Sequence, residues 1–203
     1  MLRELASFAV ICLGTLSVAR ADTLLIPGGS LPPDLLFPNG TILAQSSGTV
    51  AVSGLVDTYT VFAYKDMSNV LCSGCIDFLY HFNNVGSTGN ISFTMINFED
   101  WLTVVGFNAG AGVDINPSMV SRSSDGSAIS FLYSPSLAPG HGTSQLVIET
   151  NASDFSSGGF TISDGIETGS QGAFAPTPEP ATLALFGTGL LGFVGVARRK
   201  LKV

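Results

Sequence analysis

Cys72 and Cys75 are the residues whose spacing points most directly to chemistry. They form the pattern Cys-Ser-Gly-Cys, in which Gly74 permits the tight turn that a small ring needs. In an oxidising compartment the pair is expected to close a local disulfide, worth about 2 kcal/mol for so short a loop. A thioredoxin-like redox pair is the alternative, and it requires a helix N-terminus to lower the thiol pKa. The alternation from Ile76 to Tyr80 is typical of a strand, so the sequence favours a structural disulfide.

Four carboxylates, Asp66, Asp77, Glu99 and Asp100, are the candidates for hydrolytic chemistry on a polysaccharide. Such chemistry needs two carboxyl groups that face one cleft, about 5–10 Å apart. Asp77 also lies four residues before His81 on the same face of one strand, which would begin a proton relay if both were exposed. No serine lies in a nucleophile elbow. We therefore assign no catalytic residue and keep hydrolysis as an alternative hypothesis.

Metal and cofactor signatures in the sequence are weak. Glu99–Asp100 and Asp114–Asn116 offer oxygen atoms to Ca²⁺, but neither spacing matches a known calcium loop. The cysteine pair lacks the second pair of ligands that zinc needs, and the chain has two histidines, His81 and His141. A literal G-x-G-x-x-G at residues 187–192 lies inside an apolar segment instead of between a strand and a soluble helix. The sequence predicts neither a cofactor nor a metal site.

The charge distribution excludes two classes of partner. The chain has 8 basic and 15 acidic side chains, a formal net charge of −7. Between residues 22 and 178 only Lys65 and Arg122 are basic, against 13 acidic residues, which gives that segment a charge of −11. Binding to nucleic acid or to an anionic membrane requires lysine and arginine to meet phosphates. We expect no nucleic-acid partner and an acidic, solvated surface.

The middle of the chain alternates apolar and polar residues with a period of two. The clearest runs are residues 58–64, 76–82, 91–95, 129–133 and 145–149. Short strands separated by turn dipeptides favour an all-β fold, an antiparallel β-sandwich, over βαβ units. We assign the sandwich ectodomain to residues 47–164. An extended, Pro/Gly-rich lead-in is expected over 22–46, and a Gly/Ser/Thr-rich linker over 165–177.

Residues 1–21 have the organisation of a secretory signal peptide. A basic residue precedes an apolar run over residues 5–18, which is shorter than the roughly 20 residues that a bilayer span needs. Ala19 and Ala21 place small residues at positions −3 and −1 of a cleavage site. The mature chain is therefore expected to begin at Asp22, after passage through the export translocon.

The C-terminus carries a second sorting device in three parts. Pro178-Glu179-Pro180 is expected to be extended, because alternating prolines remove backbone donors and restrict the residues before them. Residues 181–197 contain no charge and as a helix would span about 26 Å, near the lower limit for crossing a bilayer. A basic cluster follows and should stay cytoplasmic by the positive-inside rule. Its residues are Arg198, Arg199, Lys200 and Lys202.

This order of an extended proline segment, a Gly/Leu-rich span and a basic stop resembles the PEP-CTERM sorting signal of bacteria. The resemblance covers residues 178–203, with Thr177 where the family usually has valine. It implies recognition by exosortase, a membrane-embedded cysteine protease or transpeptidase, in a Gram-negative host that makes extracellular polysaccharide. The same tail has been labelled an ice-binding protein C-terminal domain, but the regular threonine arrays that ice binding would use are absent from this sequence.

These features predict an exported surface or exopolysaccharide-matrix protein that is not an enzyme. We expect residues 181–197 to anchor it in the membrane until exosortase cleaves the tail, and the ectodomain to be structural or glycan-binding. One alternative is an extracellular polysaccharide hydrolase on a similar sandwich, and another is a permanently membrane-anchored surface protein. Trp101 is the single tryptophan, a small supply of rings for sugar stacking.

Overall fold

The computed structural model describes residues 22–109 and 114–177. The predicted signal peptide, with Ala19 and Ala21, and the predicted sorting signal from Pro178 onwards lie outside the described residues. Within these two ranges the regular elements are strands, and no helix there is long and apolar enough to cross a bilayer. The all-β prediction is therefore confirmed for the described part of the chain.

Twelve strands make up the described fold. In chain order they are β1 (Ser30–Leu31), β2 (Asp34–Leu35), β3 (Gly40–Val52), β4 (Leu55–Asp66), β5 (Cys75–Asn84), β6 (Asn90–Ile96), β7 (Thr103–Asn108), β8 (Met119–Arg122), β9 (Ala128–Leu137), β10 (Gln145–Thr150), β11 (Phe155–Ser163) and β12 (Thr168–Pro176). All five alternating runs of the sequence fall inside strands, namely β4, β5, β6, β9 and β10.

The strands form two six-stranded sheets. Sheet I has the order β1-β8-β9-β6-β11-β12, and sheet II has the order β2-β7-β10-β5-β4-β3. The pairings are antiparallel except for β2, which runs parallel to β7 over two residues at the edge of sheet II. Sheet I is thus antiparallel throughout, and sheet II is mixed at one edge.

An aromatic core fills the space between the two sheets. Strand β5 of sheet II directs Phe78, Tyr80 and Phe82 into this core, because alternate residues of a strand face the same side. The ring of Phe82 stacks on that of Phe93 in β6, with centroids 4.4 Å apart. It also meets Phe160 of β11 edge-on at 5.0 Å. These contacts pack sheet I and sheet II face to face as a sandwich.

The outer face of sheet II is covered as well, by the segment that precedes β3. Leu36 packs there with Leu79, Val104 and Val147 in a second, smaller apolar cluster. Strand β5 is consequently buried on both faces. This cover determines the surroundings of Asp77, because Asp77 and Leu79 lie on the same face of β5.

The folded region extends beyond residues 47–164 at both ends. The segment expected to be an extended lead-in contains β1, β2 and the start of β3, and it contributes Leu25 and Leu36 to the apolar clusters. The segment expected to be a linker forms β12, which pairs with β11 along its whole length. One of its glycines has a packing reason, since a Cβ added at Gly169 would collide with the side chain of Val50 in β3.

Candidate functional site

Strand β12 leads directly into the predicted sorting signal. Pro176 is the last residue of β12 and pairs with Phe155 of β11. The backbone N–H of Thr177 then donates to the carbonyl of Asp154 at 3.2 Å. The proline-rich segment at residues 178–180 therefore begins immediately after the last backbone hydrogen bond of the described sandwich.

Several loops surround the place where the chain leaves the sandwich, and we call this the exit end. It comprises residues 22–27, 67–74, 97–102, 150–154 and 176–177. Hydrogen bonds join these segments: Asn69 Nδ2 donates to the carbonyl of Thr150 at 2.9 Å, and the N–H of Leu102 donates to Asn151 Oδ1 at 2.9 Å. A cluster of buried carboxyls and a cleft beside Trp101 both lie at or beside this end.

Asp66, Asp77 and Glu149 form an acidic cluster at the exit end, on the outer side of sheet II. Asp66 ends β4, Asp77 lies in β5, and Glu149 of β10 is the direct cross-strand partner of Asp77. One oxygen from each carboxyl lies within 4.8 Å of the other two. The side chains are 0%, 0% and 3% exposed, in that order. The sheet register and the covering segments thus bring three carboxyls together out of water.

Asp66 holds two loops with one of its carboxyl oxygens. Its Oδ1 accepts hydrogen bonds from the N–H of Asn39 at 2.8 Å, and from the N–H and hydroxyl of Ser68 at 2.8 and 2.7 Å. Its Oδ2 is buried and has no hydrogen-bond partner among the described residues. The side chain is therefore fixed in place by Oδ1, while a proton on Asp77 is the donor that can reach Oδ2 within the described residues.

Asp77 and Glu149 are held in the same way. Asp77 Oδ1 accepts from Asn69 Nδ2 at 2.6 Å, and Glu149 Oε2 accepts from the N–H of Val70 at 3.1 Å. The Oδ2 of Asp77, like that of Asp66, is buried and has no partner in residues 22–109 and 114–177. Each carboxyl of the cluster thus uses one oxygen to position a neighbouring loop.

No basic side chain of the described residues forms an ion pair with the acidic cluster. The ion pair found among the described residues joins His81 to Asp114, which are not part of the cluster. Burial is the main reason why the pKa of Asp77 rises to about 9 and that of Glu149 to about 7, and neighbouring carboxyls add to both shifts. Burial acts on Asp66 in the same direction, but hydrogen bonds from Asp77, Ser68 and Asn39 outweigh it and lower the pKa of Asp66. Without a cation, the cluster therefore favours a proton on Asp77 that is shared with an ionised Asp66.

The predicted disulfide between Cys72 and Cys75 closes the loop that covers the acidic cluster. The two Cα atoms are 5.5 Å apart, and Cys75 is the first residue of β5. Asn69 connects the loop to the cluster, since its Oδ1 accepts from the N–H groups of Leu71 and Cys72 while its Nδ2 donates to Asp77. A strand follows the disulfide, so the helix N-terminus that a thioredoxin-like pair requires is not present there.

A second feature of the exit end is an apolar cleft beside Trp101. The cleft has a volume of about 250 Å³ and is lined by Trp101, Glu99, Asp100 and the exposed side chains of Leu24 and Ile26, among others. Glu99 and Asp100 are exposed at its rim. An indole ring next to carboxylate acceptors is an arrangement that suits contact with a sugar ring and its hydroxyls.

Arg122 supports the base of this cleft from inside the protein. It is 5% exposed, and its guanidinium donates hydrogen bonds to oxygen atoms of five different residues at 2.5–3.2 Å. The acceptors are the carbonyls of Gly126, Leu25, Phe98 and Trp101 and the hydroxyl of Thr103. One indication of this role was available in the sequence: Arg122 is one of only two basic residues between residues 22 and 178.

The candidate carboxylates separate into two groups. Asp66 and Asp77 converge, and Glu149 joins them, although sequence reasoning did not single it out. Glu99 and Asp100 lie in a different loop and are exposed. The alternation in β10 is the signal that was available for Glu149, because it places this residue on the face opposite to the buried Ile148.

The proton relay from Asp77 to His81 is not formed. Asp77 is fully buried in the acidic cluster, whereas Nε2 of the part-exposed His81 lies 3.8 Å from Asp114 Oδ1. Two residues four apart on one strand are about 13 Å apart, too far for a direct hydrogen bond. His141 lies in a turn, as its sequence context indicated: its N–H donates to the carbonyl of Ala138.

The fold and the exit-end geometry define the class of this protein as an all-β sandwich that continues directly into a C-terminal tail. That tail, at residues 176–200, matches the family described as PEP-CTERM protein-sorting motif. The match includes Pro178, Glu179 and Pro180 and extends into the basic cluster as far as Lys200, so the predicted motif is confirmed. It supports an exported surface protein of a Gram-negative bacterium, with exosortase as its processing partner. No curated protein and no solved structure matches the chain.

Proposed function

We propose that this chain is a non-enzymatic surface or exopolysaccharide-matrix protein, which exosortase cleaves near Glu179 after the translocon has exported it. The observation that carries the proposal is the junction between fold and motif. The sorting motif begins at Pro176, which is also the last residue of β12. A protease that binds the proline-rich segment would therefore act next to the folded sandwich without having to unfold it.

Cleavage at this junction would change where the protein resides. The removed residues would include the uncharged run 181–197 and the basic cluster that starts at Arg198. The remaining domain would keep its acidic side chains and would lose its only long apolar segment after the signal peptide. We therefore expect the cleaved protein to leave the bilayer for the cell surface or the matrix.

The processing step can be tested by comparing Glu179→Ala with the matched control Glu167→Ala in a host that has exosortase. Glu167 lies in the turn before β12, upstream of the motif. Wild type and Glu167→Ala should release protein that lacks the tail, while Glu179→Ala and an exosortase deletion should retain full-length protein in membranes. Mass spectrometry of released protein provides the measurement. C-terminal peptides that contain Phe193 or Leu201 in the released wild-type protein would refute cleavage and favour a permanent anchor.

For the ectodomain we propose a structural or glycan-binding role in preference to hydrolysis. The converging pair, Asp66 and Asp77, is fully buried, which supports a non-enzymatic role because a sugar ring has no room between these carboxyls. The exposed carboxylates Glu99 and Asp100 lie instead beside Trp101 in the cleft of the exit end. That cleft is the surface we assign to exopolysaccharide.

A glycan array probed with the exported protein tests this assignment. Trp101→Ala should abolish binding, because it removes the one aromatic ring among the described residues that line this cleft, on which a sugar ring can pack. Phe37→Ala is a matched control, since Phe37 is a large aromatic side chain that is 66% exposed and does not line this cleft. Loss of binding in both variants, or in neither, would refute the role of the Trp101 cleft.

A further inference from the structure

We propose that Asp66, Asp77 and Glu149 bind a Ca²⁺ ion, which is a metal site that the sequence did not predict. The proposal goes beyond the sorting function and does not depend on it. It starts from the geometry of the acidic cluster, in which one oxygen from each of three carboxyls lies within 4.8 Å of the others. Calcium–oxygen distances of about 2.3–2.6 Å allow ligands on opposite sides of one ion to be about 5 Å apart.

The unused oxygens of the cluster are a second observation that points to a ligand. Asp66 and Asp77 are 0% exposed, and the Oδ2 atom of each is buried with no hydrogen-bond partner among the described residues apart from a proton that the two carboxyls can share. A buried carboxylate oxygen in that state is costly unless a donor or a cation meets it. The opposite oxygens are already engaged by Asn39, Ser68 and Asn69, so the free ones are held in fixed positions.

The negative charge of the acidic cluster also favours the binding of a cation. Three carboxyls share a region with no basic side chain paired to them in the described ranges. Lys65, the nearest basic residue in the sequence, is exposed and makes no ion pair with any other described residue. A divalent cation would offset two negative charges in a place where burial makes their repulsion strong.

The site also has a route of entry and room for water ligands. Glu149, Ser68 and Val70 line a cleft of about 300 Å³, which also touches Asp22 and Phe37. Ca²⁺ takes six to eight oxygen ligands and accepts water among them, so water in this cleft would complete the shell on the Glu149 side. All three protein ligands are carboxylates, the hard donors that Ca²⁺ prefers over nitrogen or sulfur.

Bound calcium would join parts of the chain that are distant in sequence. The ligands come from β4, β5 and β10, and their second oxygens already hold residues Asn39, Ser68 and Val70. We therefore infer that calcium stabilises the exit end, where the sorting tail leaves the sandwich.

The test uses the full-length chain in a mild non-ionic detergent, freed of metal with a chelator and then titrated with CaCl₂ or MgCl₂. For an extracellular-type calcium site, Tm should rise by about 3–10 °C at roughly 10 mM Ca²⁺, and Mg²⁺ should have a much smaller effect. Terbium, a luminescent calcium analogue, gives a direct readout when excited through tyrosine. Tyr64 is the cross-strand partner of Asp77 and is therefore close to the site.

Two site variants and one matched control make the result specific. Asp77→Asn and Glu149→Gln should each lose the calcium-dependent rise in Tm and the terbium signal, and Ca²⁺ should displace terbium from wild type. The double variant Glu99→Gln/Asp100→Asn changes exposed carboxyls outside the cluster and should show the same calcium-dependent rise in Tm and the same terbium signal as wild type.

The wild-type titration alone can overturn the proposal, even if a variant fails to fold. No rise in Tm with calcium and no terbium signal would mean that the cluster holds only a shared proton. An equal response to Mg²⁺ would overturn the assignment to calcium. Loss of the response in the Glu99/Asp100 control, or its persistence in both site variants, would place the ion elsewhere and overturn the site.

Discussion

Replacing Asp57 with Asn is expected to remove a large pH dependence of stability from this protein. Asp57 lies in β4 and is 0% exposed, and its Oδ1 accepts a hydrogen bond from Asn90 Nδ2 at 2.6 Å. Asp57 Oδ2 and Asn90 Oδ1 are both buried without a partner among the described residues. A proton on Asp57 supplies the one donor that this carboxyl–carboxamide pair lacks.

The magnitude follows from the pKa of this carboxyl. Burial raises the pKa of Asp57 from 3.8 to about 7, and the hydrogen bond from Asn90 offsets only part of that rise. Because the folded pKa is the higher one, the stabilising contribution of the protonated side chain is complete below about pH 4 and is lost as the pH rises to about 7. At about 1.4 kcal/mol per pH unit over roughly three units, the loss is about 4 kcal/mol.

An asparagine at this position imitates the protonated acid. It keeps an acceptor for Asn90 Nδ2 and carries a permanent donor for Asn90 Oδ1. Asp57→Asn should therefore match wild type near pH 4 and exceed it by about 4 kcal/mol near pH 8, with a Tm about 10 °C higher. Thermal and urea unfolding of the exported protein, followed through the fluorescence of Trp101 at closely spaced pH values, measures this difference.

The comparison isolates Asp57 from the other buried carboxyls. Asp57 and Asp66 lie near opposite ends of β4, about 30 Å apart, so changes at the two sites should be additive. Asp100→Asn, a change at an exposed carboxyl, is the control and should alter neither the stability nor its pH dependence. A difference between wild type and Asp57→Asn that is the same at pH 4 and pH 8, or a variant that is less stable near pH 8, would refute the reasoning.

Three further predictions concern the remaining parts of the chain. Arg122→Lys should lower the free energy of unfolding by about 3 kcal/mol or more in urea titrations, because lysine cannot reach five acceptors at once; a loss under 1 kcal/mol would contradict this. Exported protein should show no free thiol at Cys72 or Cys75 by alkylation and intact mass before reduction, and the double Ser variant should still fold with about 2 kcal/mol less stability. Two free thiols in native protein would count against the disulfide. N-terminal sequencing of the exported protein should begin at Asp22, and a start at Met1 would overturn the predicted signal cleavage.

The local patterns of the sequence were sufficient for the strand class and for the tail. Alternation with a period of two located five strands correctly, because side chains on a strand half-buried in a sandwich must alternate between core and solvent. The sorting motif is a linear signal of proline, apolar and basic residues in fixed order, so the match at residues 176–200 required no fold. The pairing of Cys72 with Cys75 is equally local, since the two cysteines are only three positions apart in the sequence.

These local patterns did not predict where the folded region begins and ends. Residues 165–177 have the composition of a linker, yet β12 forms there because it pairs with β11 along its whole length. At Gly169 the side chain of Val50 in β3 leaves room for glycine only. The lead-in likewise gains its structure from the outer face of sheet II, where Leu36 covers Leu79 and Val147. In both cases a segment with weak local preference is ordered by a surface that other parts of the chain supply.

The candidate sites depended still more on tertiary structure. The sequence determined that Asp66, Asp77 and Glu149 were acidic residues in or next to strand patterns, but β10 is separated from β4 by about 80 residues of chain. Only the order β10-β5-β4 in sheet II brings the three carboxyls within 4.8 Å, and only the cover from residues 22–39 and 67–74 removes them from water. Burial and proximity change the chemistry of a carboxyl far more than its neighbours in sequence do, because both act through the local dielectric and the surrounding charges.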